Sequence, residues 1–255
     1  MKKMFLFLLF MHQIICYSQL RVTGGSAIDI KQVPWQALLR GDAGTCGGSI
    51  ISPRYILTAK HCVADVKASN IRVNAGISLR SNASSKNEYR VSSVIIHPTY
   101  DVALLKLSTS IVFDDTKRSI NFAESMNDRY YANCTEASVS GWGWLKPKSN
   151  ALSEQLQAVG IHIISNEDAA AMLGMPVYDH EVAAIGSGNV RQGACHGDSG
   201  GPLVVWSDLI GDYVLVGVVS RGRTECVGDN TNSPSIFIRV SNIYKGFKYY
   251  RMGVR

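Results

Sequence analysis

Six consecutive residues, Gly197-Asp198-Ser199-Gly200-Gly201-Pro202, set one hydroxyl among glycines and beside a carboxylate. A serine hydroxyl is a weak nucleophile. It works when a neighbouring base takes its proton and when donors stand where negative charge develops. Glycines at 197, 200 and 201 allow the tight turning that points backbone N–H groups at one spot. A bare Asp-Ser-Gly would be an ordinary surface turn, whereas six residues in this order are far more specific. Two other stretches hold what this one lacks. Leu57-Thr58-Ala59-Lys60-His61-Cys62 offers a histidine pinned by a neighbouring cysteine, and Tyr100-Asp101-Val102-Ala103-Leu104-Leu105 offers an aspartate at the mouth of an apolar strand. Alone, such a histidine is commonly a surface or satisfied core residue, and such an aspartate a turn residue. In the order His, Asp, Ser they match one known arrangement of base, orienting acid and nucleophile.

The elements that must carry these groups read as strands. Short runs rich in Val, Ile and Leu at 48–57, 71–75, 89–96, 102–107, 137–139, 158–164, 203–206, 213–219 and 235–240 alternate with Gly, Asn, Ser and Pro clusters. One helix is predicted at 166–173, capped by Ser165 or Asn166, and another at the C-terminus over 241–250. Many short strands with turn punctuation argue for an all-β barrel or sandwich and against a βαβ fold.

Residues 1–18 read as a signal peptide: Lys2 and Lys3, an apolar run from Met4 to Met11, and a small residue at Ser18. His12 and Gln13 interrupt the run well short of the roughly 20 apolar residues of a membrane span. The protein is therefore expected to be secreted, extracellular and soluble. The formal charge of +6 drops to +3 once Lys2, Lys3 and Arg21 are removed, too mild to suggest nucleic acid or membrane partners. Residues 22–255 suit one all-β domain. With Cys16 set aside, Cys46, Cys62, Cys134, Cys195 and Cys226 are an odd number, so pairing leaves one thiol over. Sequons stand at Asn82 and Asn133. His61, His97, His162, His180 and His196 show no metal-ligand spacing, and 77–86 lacks the paired acids of a calcium loop, so neither metal nor cofactor is expected.

With these residues in place, the sequence after Arg21 resembles the chymotrypsin/trypsin family of serine proteases, most in the manner of secreted, allergen-type trypsin-like proteases of mites and other arthropods. The resemblance implies two six-stranded antiparallel Greek-key barrels, with the site in the cleft between them, a boundary near 122–134 and a short C-terminal helix. It implies Ser199 as nucleophile, His61 as general base and later acid, and Asp101 as the group that orients His61. The N–H groups of Gly197 and Ser199 would form the oxyanion hole. Ser220 matches the serine that supports the buried aspartate. Gly141-Trp142-Gly143, Cys46-Gly47-Gly48-Ser49 and Pro34-Trp35-Gln36 match structural signatures that do no chemistry themselves. Arg21-Val22-Thr23-Gly24-Gly25 resembles the activation site, so residues 19–21 would be the pro-segment. Cleavage after Arg21 would free the Val22 amine to pair with Asp198. Cys46–Cys62 and Cys195–Cys226 resemble the family's disulfides, while Ala169 and Ala184 stand where a third pair is common and Val205 where Cys134 would find its partner.

The specificity pocket carried over from the family comprises Gly193, Ala194, Ser220, Arg221, Gly222 and Ser235. Gly193 at its floor offers no carboxylate to Lys or Arg, and Ser235 replaces a glycine and narrows one wall, so cleavage is expected after small or apolar residues. Arg221 replaces the flat tryptophan of the substrate-binding edge, with Arg223 following. Lys60 replaces an alanine, and has two readings: a cation that depresses His61 and competes for Asp101, or a side chain that reaches solvent along its packed stem. The short segment from His97 to Asp101 trims the loop over the neighbouring subsite and so opens the cleft. Two function classes follow. One is a monomeric secreted serine endopeptidase that meets protein or peptide substrates and protease inhibitors. The other is an impaired homologue that binds host proteins, with Arg221 and Arg223 as its surface for acidic partners.

Overall fold

The computed structural model describes residues 25–42, 44–123, 128–145, 150–186, 193–222 and 233–243. A two-residue strand, β1 (Ser26–Ala27), leads into β2 (Gln36–Gly41), β3 (Gly44–Ser52), β4 (Tyr55–Thr58), β5 (Arg72–Ala75), β6 (Glu88–Ile96) and β7 (Ala103–Leu107). The last six close into a barrel in the order β2-β3-β4-β7-β6-β5. The chain then crosses through β8 (Asn121–Phe122) to β9 (Glu136–Gly141), β10 (Gln157–Ile164), α1 (Asn166–Leu173), β11 (Glu181–Gly186), β12 (Pro202–Ser207), β13 (Asp212–Arg221) and β14 (Ser235–Arg239). The second ring runs β9-β10-β11-β14-β13-β12 and closes because β9 pairs with both β10 and β12. β1 adds to β10, and β8 adds in parallel to β13. Closure leaves neither ring an open edge to template pairing with another chain.

Leu39, Ile50, Ile56, Val73 and Leu105 fill the first barrel, and Val139, Ile161, Val182, Val216 and Phe237 the second. A third cluster, with Trp35, Leu57, Leu104, Trp142, Leu215 and Ile238, draws on both barrels and joins them. This explains the apolar run Val102-Ala103-Leu104-Leu105 that enters β7. Leu104 packs in the joining cluster and Leu105 in the first barrel, so both faces of the strand are buried.

The expected strands are found, with one run split in two and four strands unforeseen, two of them the two-residue β1 and β8. The run 48–57 is two strands: a turn at Pro53-Arg54 folds it back, so that Ile50 pairs with Ile56. β2 and β11 have no counterpart among the expected strands. Gln36-Ala37-Leu38-Leu39 is buried on both faces and so lacks alternation. Glu181-Val182-Ala183-Ala184 is poor in the branched and aromatic residues that mark strands. The helix expected over 166–173 is α1, whose cap Ser165 accepts the N–H of Asp168 at 3.0 Å. Gly174 ends it at φ +67°, in the left-handed region. Residues 240–243 begin a helical turn; the rest of the C-terminal helix, the leader and the pro-segment lie outside the described residues.

Cys46 and Cys62 form a disulfide. Cys195 is also disulfide-bonded, while Cys226 falls outside the described residues. The leftover thiol expected at Cys134 is corrected, because Cys134 is disulfide-bonded and no described cysteine is free. Among the described residues no helix is long and apolar enough to cross a membrane.

Candidate active site

Strand register brings the three dispersed stretches together. β4 and β7 run antiparallel with Thr58 opposite Ala103. His61 lies three residues beyond Thr58 and Asp101 two before Ala103, so both emerge at the same end of the first barrel. On the second barrel Pro202 of β12 faces Val218 of β13, which sets the turn carrying Ser199 beside Ser220. Gly200 donates to the Val219 carbonyl at 2.8 Å and Val219 to that of Gly201 at 2.9 Å, locking the turn onto the strand. The barrels meet here, where Gly47 donates to the Ser199 carbonyl at 2.8 Å and Thr58 Oγ1 to the Gly47 carbonyl at 2.8 Å. Glycine is obligatory at 200: φ is +78°, and a Cβ would overlap Thr58 Oγ1. Gly47 and Thr58 were named in the sequence only as parts of longer stretches, and their role in joining the barrels depends wholly on this meeting.

Asp101 spans the cleft. Its Oδ1 accepts the backbone N–H of His61 at 2.9 Å, while Oδ2 accepts from His61 Nδ1 at 2.8 Å and from Ser220 Oγ at 2.6 Å. Burial alone would push this carboxyl up. The hydrogen bonds from the His61 ring, from Ser220 and from the His61 N–H outweigh it, and Asp101 sits below the usual carboxylate range. An ionised carboxylate only accepts, so Nδ1 must carry a proton, and in the neutral ring Nε2 is left as the acceptor. Ser199 is held by its backbone, whose carbonyl also lies 3.6 Å from Cys62 Sγ. Neither the Ser199 hydroxyl nor the N–H groups of Gly197 and Ser199 has a hydrogen-bond partner among the described residues. At Gly197, φ is +99° and a Cβ would overlap Leu152 Cδ2, so any other residue is strained there.

Asp198 is 9% exposed. Its carboxylate accepts from the N–H groups of Gly143 at 2.8 Å and Cys195 at 3.0 Å, and no cation reaches it among the described residues. Burial outweighs those two donors and pushes the carboxyl up to about 6. A Cβ at either Gly141 or Gly143 would overlap its oxygens. The Gly-Trp-Gly signature is therefore more than scaffold, since it cradles and hydrogen-bonds the acid. The acid faces a small cavity lined also by Gly25, Gly141, Gly143, Gln157 and Gly193. Arg21 and Val22 lie outside the described residues.

At the specificity pocket, Ser235 is buried and its hydroxyl accepts the Ala194 N–H at 3.2 Å, tying one wall to the floor. Gly222 has open space, the nearest atom to an added Cβ being the Pro234 carbonyl oxygen at 3.9 Å. Arg221 differs from expectation. Its guanidinium forms a two-point pair with Glu181 at 2.8 and 2.7 Å and donates to the Pro176 carbonyl at 2.8 Å. The Glu181 side chain is 5% exposed, so Arg221 is committed inward and does not face an acidic partner; Arg223 lies outside the described residues. Lys60 makes no contact with Asp101. It lies near His97, whose basicity falls through burial and then through the Lys60 charge. The trimmed segment closes as a turn in which the N–H groups of Thr99 and Tyr100 donate to His97 Nδ1 at 3.2 and 3.0 Å. Tyr100 then stacks between His97 and His180, with ring centroids 4.7 and 4.6 Å away, and His180 stacks in turn on Tyr178. His196 packs against Trp144 at 4.6 Å.

The family model described as Trypsin matches residues 22–246, nearly the whole chain. The chain belongs to the trypsin family. Curated relatives include Trypsin delta of Drosophila erecta, 37% identical with 88% of this chain and 85% of the relative covered. Trypsin gamma of Drosophila melanogaster is 38% identical over 79% of this chain and 78% of the relative. Hypodermin-A of Hypoderma lineatum is 33% identical over 88% and 84%. Members of the trypsin family act on protein substrates, and the two closed barrels here are those of that fold.

Proposed function

We propose that the chain is a secreted serine endopeptidase, released with its leader removed and activated by cleavage after Arg21. The observation that carries this reading is Asp101, fixed by three hydrogen bonds from His61 and Ser220 while Ser199 is presented from the opposite barrel. In the reaction, His61 Nε2 takes the Ser199 proton as Oγ attacks the scissile carbonyl. The N–H groups of Gly197 and Ser199 then receive the oxyanion, and His61 returns the proton to the leaving amine. Water repeats the cycle on the acyl-enzyme. These roles follow the template drawn from this same family. Asp101 keeps Nδ1 protonated and balances the charged ring.

Activation follows from Asp198. An unpaired buried carboxylate is costly, and the Val22 amine would supply its missing cation. Gly25, three residues from Val22, already lines the acid's cavity. For substrate choice, Gly193 brings no carboxylate to the pocket, and the Ser235–Ala194 hydrogen bond supports a short pocket for small or apolar side chains. The binding-protein reading loses its main feature, because Arg221 is already neutralised by Glu181. A peptide library incubated with protein cleaved at Arg21 tests the preference. Products cut after alanine, valine or leucine are expected, and cutting mainly after arginine would overturn it.

A further inference from the structure

We infer that Arg80, on the first barrel, is a positioning residue for the oxyanion donors of the second; this rests on the proteolysis reading above. The loop after β5 lies against residues 152–156, the segment that leads into β10. Leu79 bridges Gln155, Arg80 N–H donates to the Glu154 carbonyl at 2.9 Å, and Leu156 N–H donates to the Ser78 carbonyl at 2.8 Å. The Ser81 N–H donates to Glu154 Oε1 at 2.8 Å. Onto this backbone pairing Arg80 adds a fork. Its Nε donates to the Ser153 carbonyl at 2.7 Å and its Nη2 to that of Leu152 at 3.4 Å.

The fork sits one residue from the reacting centre. Leu152 lies over the Cα of Gly197, where an added Cβ would overlap its Cδ2. Leu152 also bridges Trp144, and the Trp144 N–H donates to the His196 carbonyl at 3.0 Å, the residue before Gly197. The peptide whose N–H is the proposed oxyanion donor is thus packed from one side by a leucine whose own carbonyl is held across the barrel boundary. A planar guanidinium with donors in a fixed fork holds two adjacent carbonyls in a way an ammonium does not. Oxyanion donors act through placement to within a few tenths of an ångström. Losing the fork leaves the donor present and its aim slack.

The test uses activated full-length protein and a small-residue peptide amide, comparing wild type with Arg80→Ala, Arg80→Lys, Leu152→Ala and the Arg80→Ala/Leu152→Ala double variant. Arg80→Ala is expected to lower kcat about tenfold, short of the 10²–10³ lost with a whole donor, while KM stays constant. Arg80→Lys recovers part of the loss. The double variant turns over no more slowly than the slower single one, because both act through one contact. Arg118→Ala is the control for stability alone. It breaks the two-point pair with Asp212 at 2.7 and 3.0 Å, eight residues and about 26 Å along β13 from Ser220, and should lower the melting temperature without changing kcat. Wild-type kcat in Arg80→Ala, or losses that multiply in the double variant, would overturn the inference. A wild-type protein that turns nothing over refutes proteolysis instead. Hydrogen exchange of residues 193–201 then decides on Arg80: faster exchange in Arg80→Ala sustains the inference, and unchanged exchange ends it.

Discussion

Replacing Arg221 with alanine leaves Glu181, buried on the face of β11 opposite Val182, with its main partner gone. In the native chain the carboxylate takes two bonds from the guanidinium, 2.8 and 2.7 Å, and one from the Tyr178 N–H at 2.9 Å. Burial would push Glu181 up, but Arg221, then the Tyr178 N–H, hold it below the usual range. Breaking a buried pair by removing one partner costs roughly 3–5 kcal/mol. Arg221 is 30% exposed, so water can reach the gap, and the lower end, about 3 kcal/mol, applies. For a domain of this size that is a fall in Tm of about 6–12 °C. The pH dependence separates this from lost packing. In the native chain Glu181 has a depressed value, so its contribution is complete above the unfolded value near ~4.3 and fades as pH falls through the folded one. In the variant the unpaired carboxyl titrates upward, and the deficit shrinks between pH 8 and 5 as it protonates. Chemical denaturation of wild type, Arg221→Ala and the double variant Arg221→Leu/Glu181→Leu at both pH values checks this. The double variant should return to within about 1 kcal/mol of wild type. A single-variant cost under about 1 kcal/mol, the same at both pH values, would refute the reasoning and reduce the pair to a surface contact.

Gly197→Ala should fold poorly or lose at least about 10² in kcat, since both φ +99° and Leu152 exclude a Cβ; steady-state kinetics on folded material decides. Asp101→Asn should cost about 10⁴ in kcat, the figure of this family's template. Ser220→Ala, which removes one of three bonds to Asp101, should cost far less, and equal losses would contradict the division of roles. For Asp198, a raised folded value penalises the uncleaved protein as pH climbs from about 4 through 6. Relative to Asp198→Asn, uncleaved protein should therefore lose about 3 kcal/mol across that window. Cleavage at Arg21 should remove the difference, and parallel stability curves for the two uncleaved proteins would argue against it.

Local chemistry was legible in the sequence wherever one stretch held the whole signal. The Gly197–Pro202 run, His61 before Cys62 and Asp101 before an apolar strand could be singled out because glycine requirements and a strand-end acid can be read in short windows, and the structure sets His61 and Asp101 2.8 Å apart. Two strands, one in each barrel, were harder to read. β2 is buried on both faces and β11 is alanine-rich, so neither shows the alternation that marks a strand. The Arg221–Glu181 pair joins residues 40 apart, and Arg221 on its own read as part of the substrate-binding edge. A signal did exist, because an acid opening the buried run Val182-Ala183-Ala184 requires a partner. Cys134 looked unpaired because Val205 stands where its usual partner would be, whereas it is disulfide-bonded. The bracing of Leu152 by Arg80 has no local signature, since it arises only where a loop of one barrel meets a loop of the other.

The most direct test of the account is fluorophosphonate labelling of protein cleaved after Arg21, with Ser199→Ala as control. The account predicts one label per chain on Ser199, absent from the variant and slowed in Asp101→Asn. Folded, cleaved protein that takes up no label would show that Ser199, His61 and Asp101 stand together without operating, and would contradict the proposed activity at its centre.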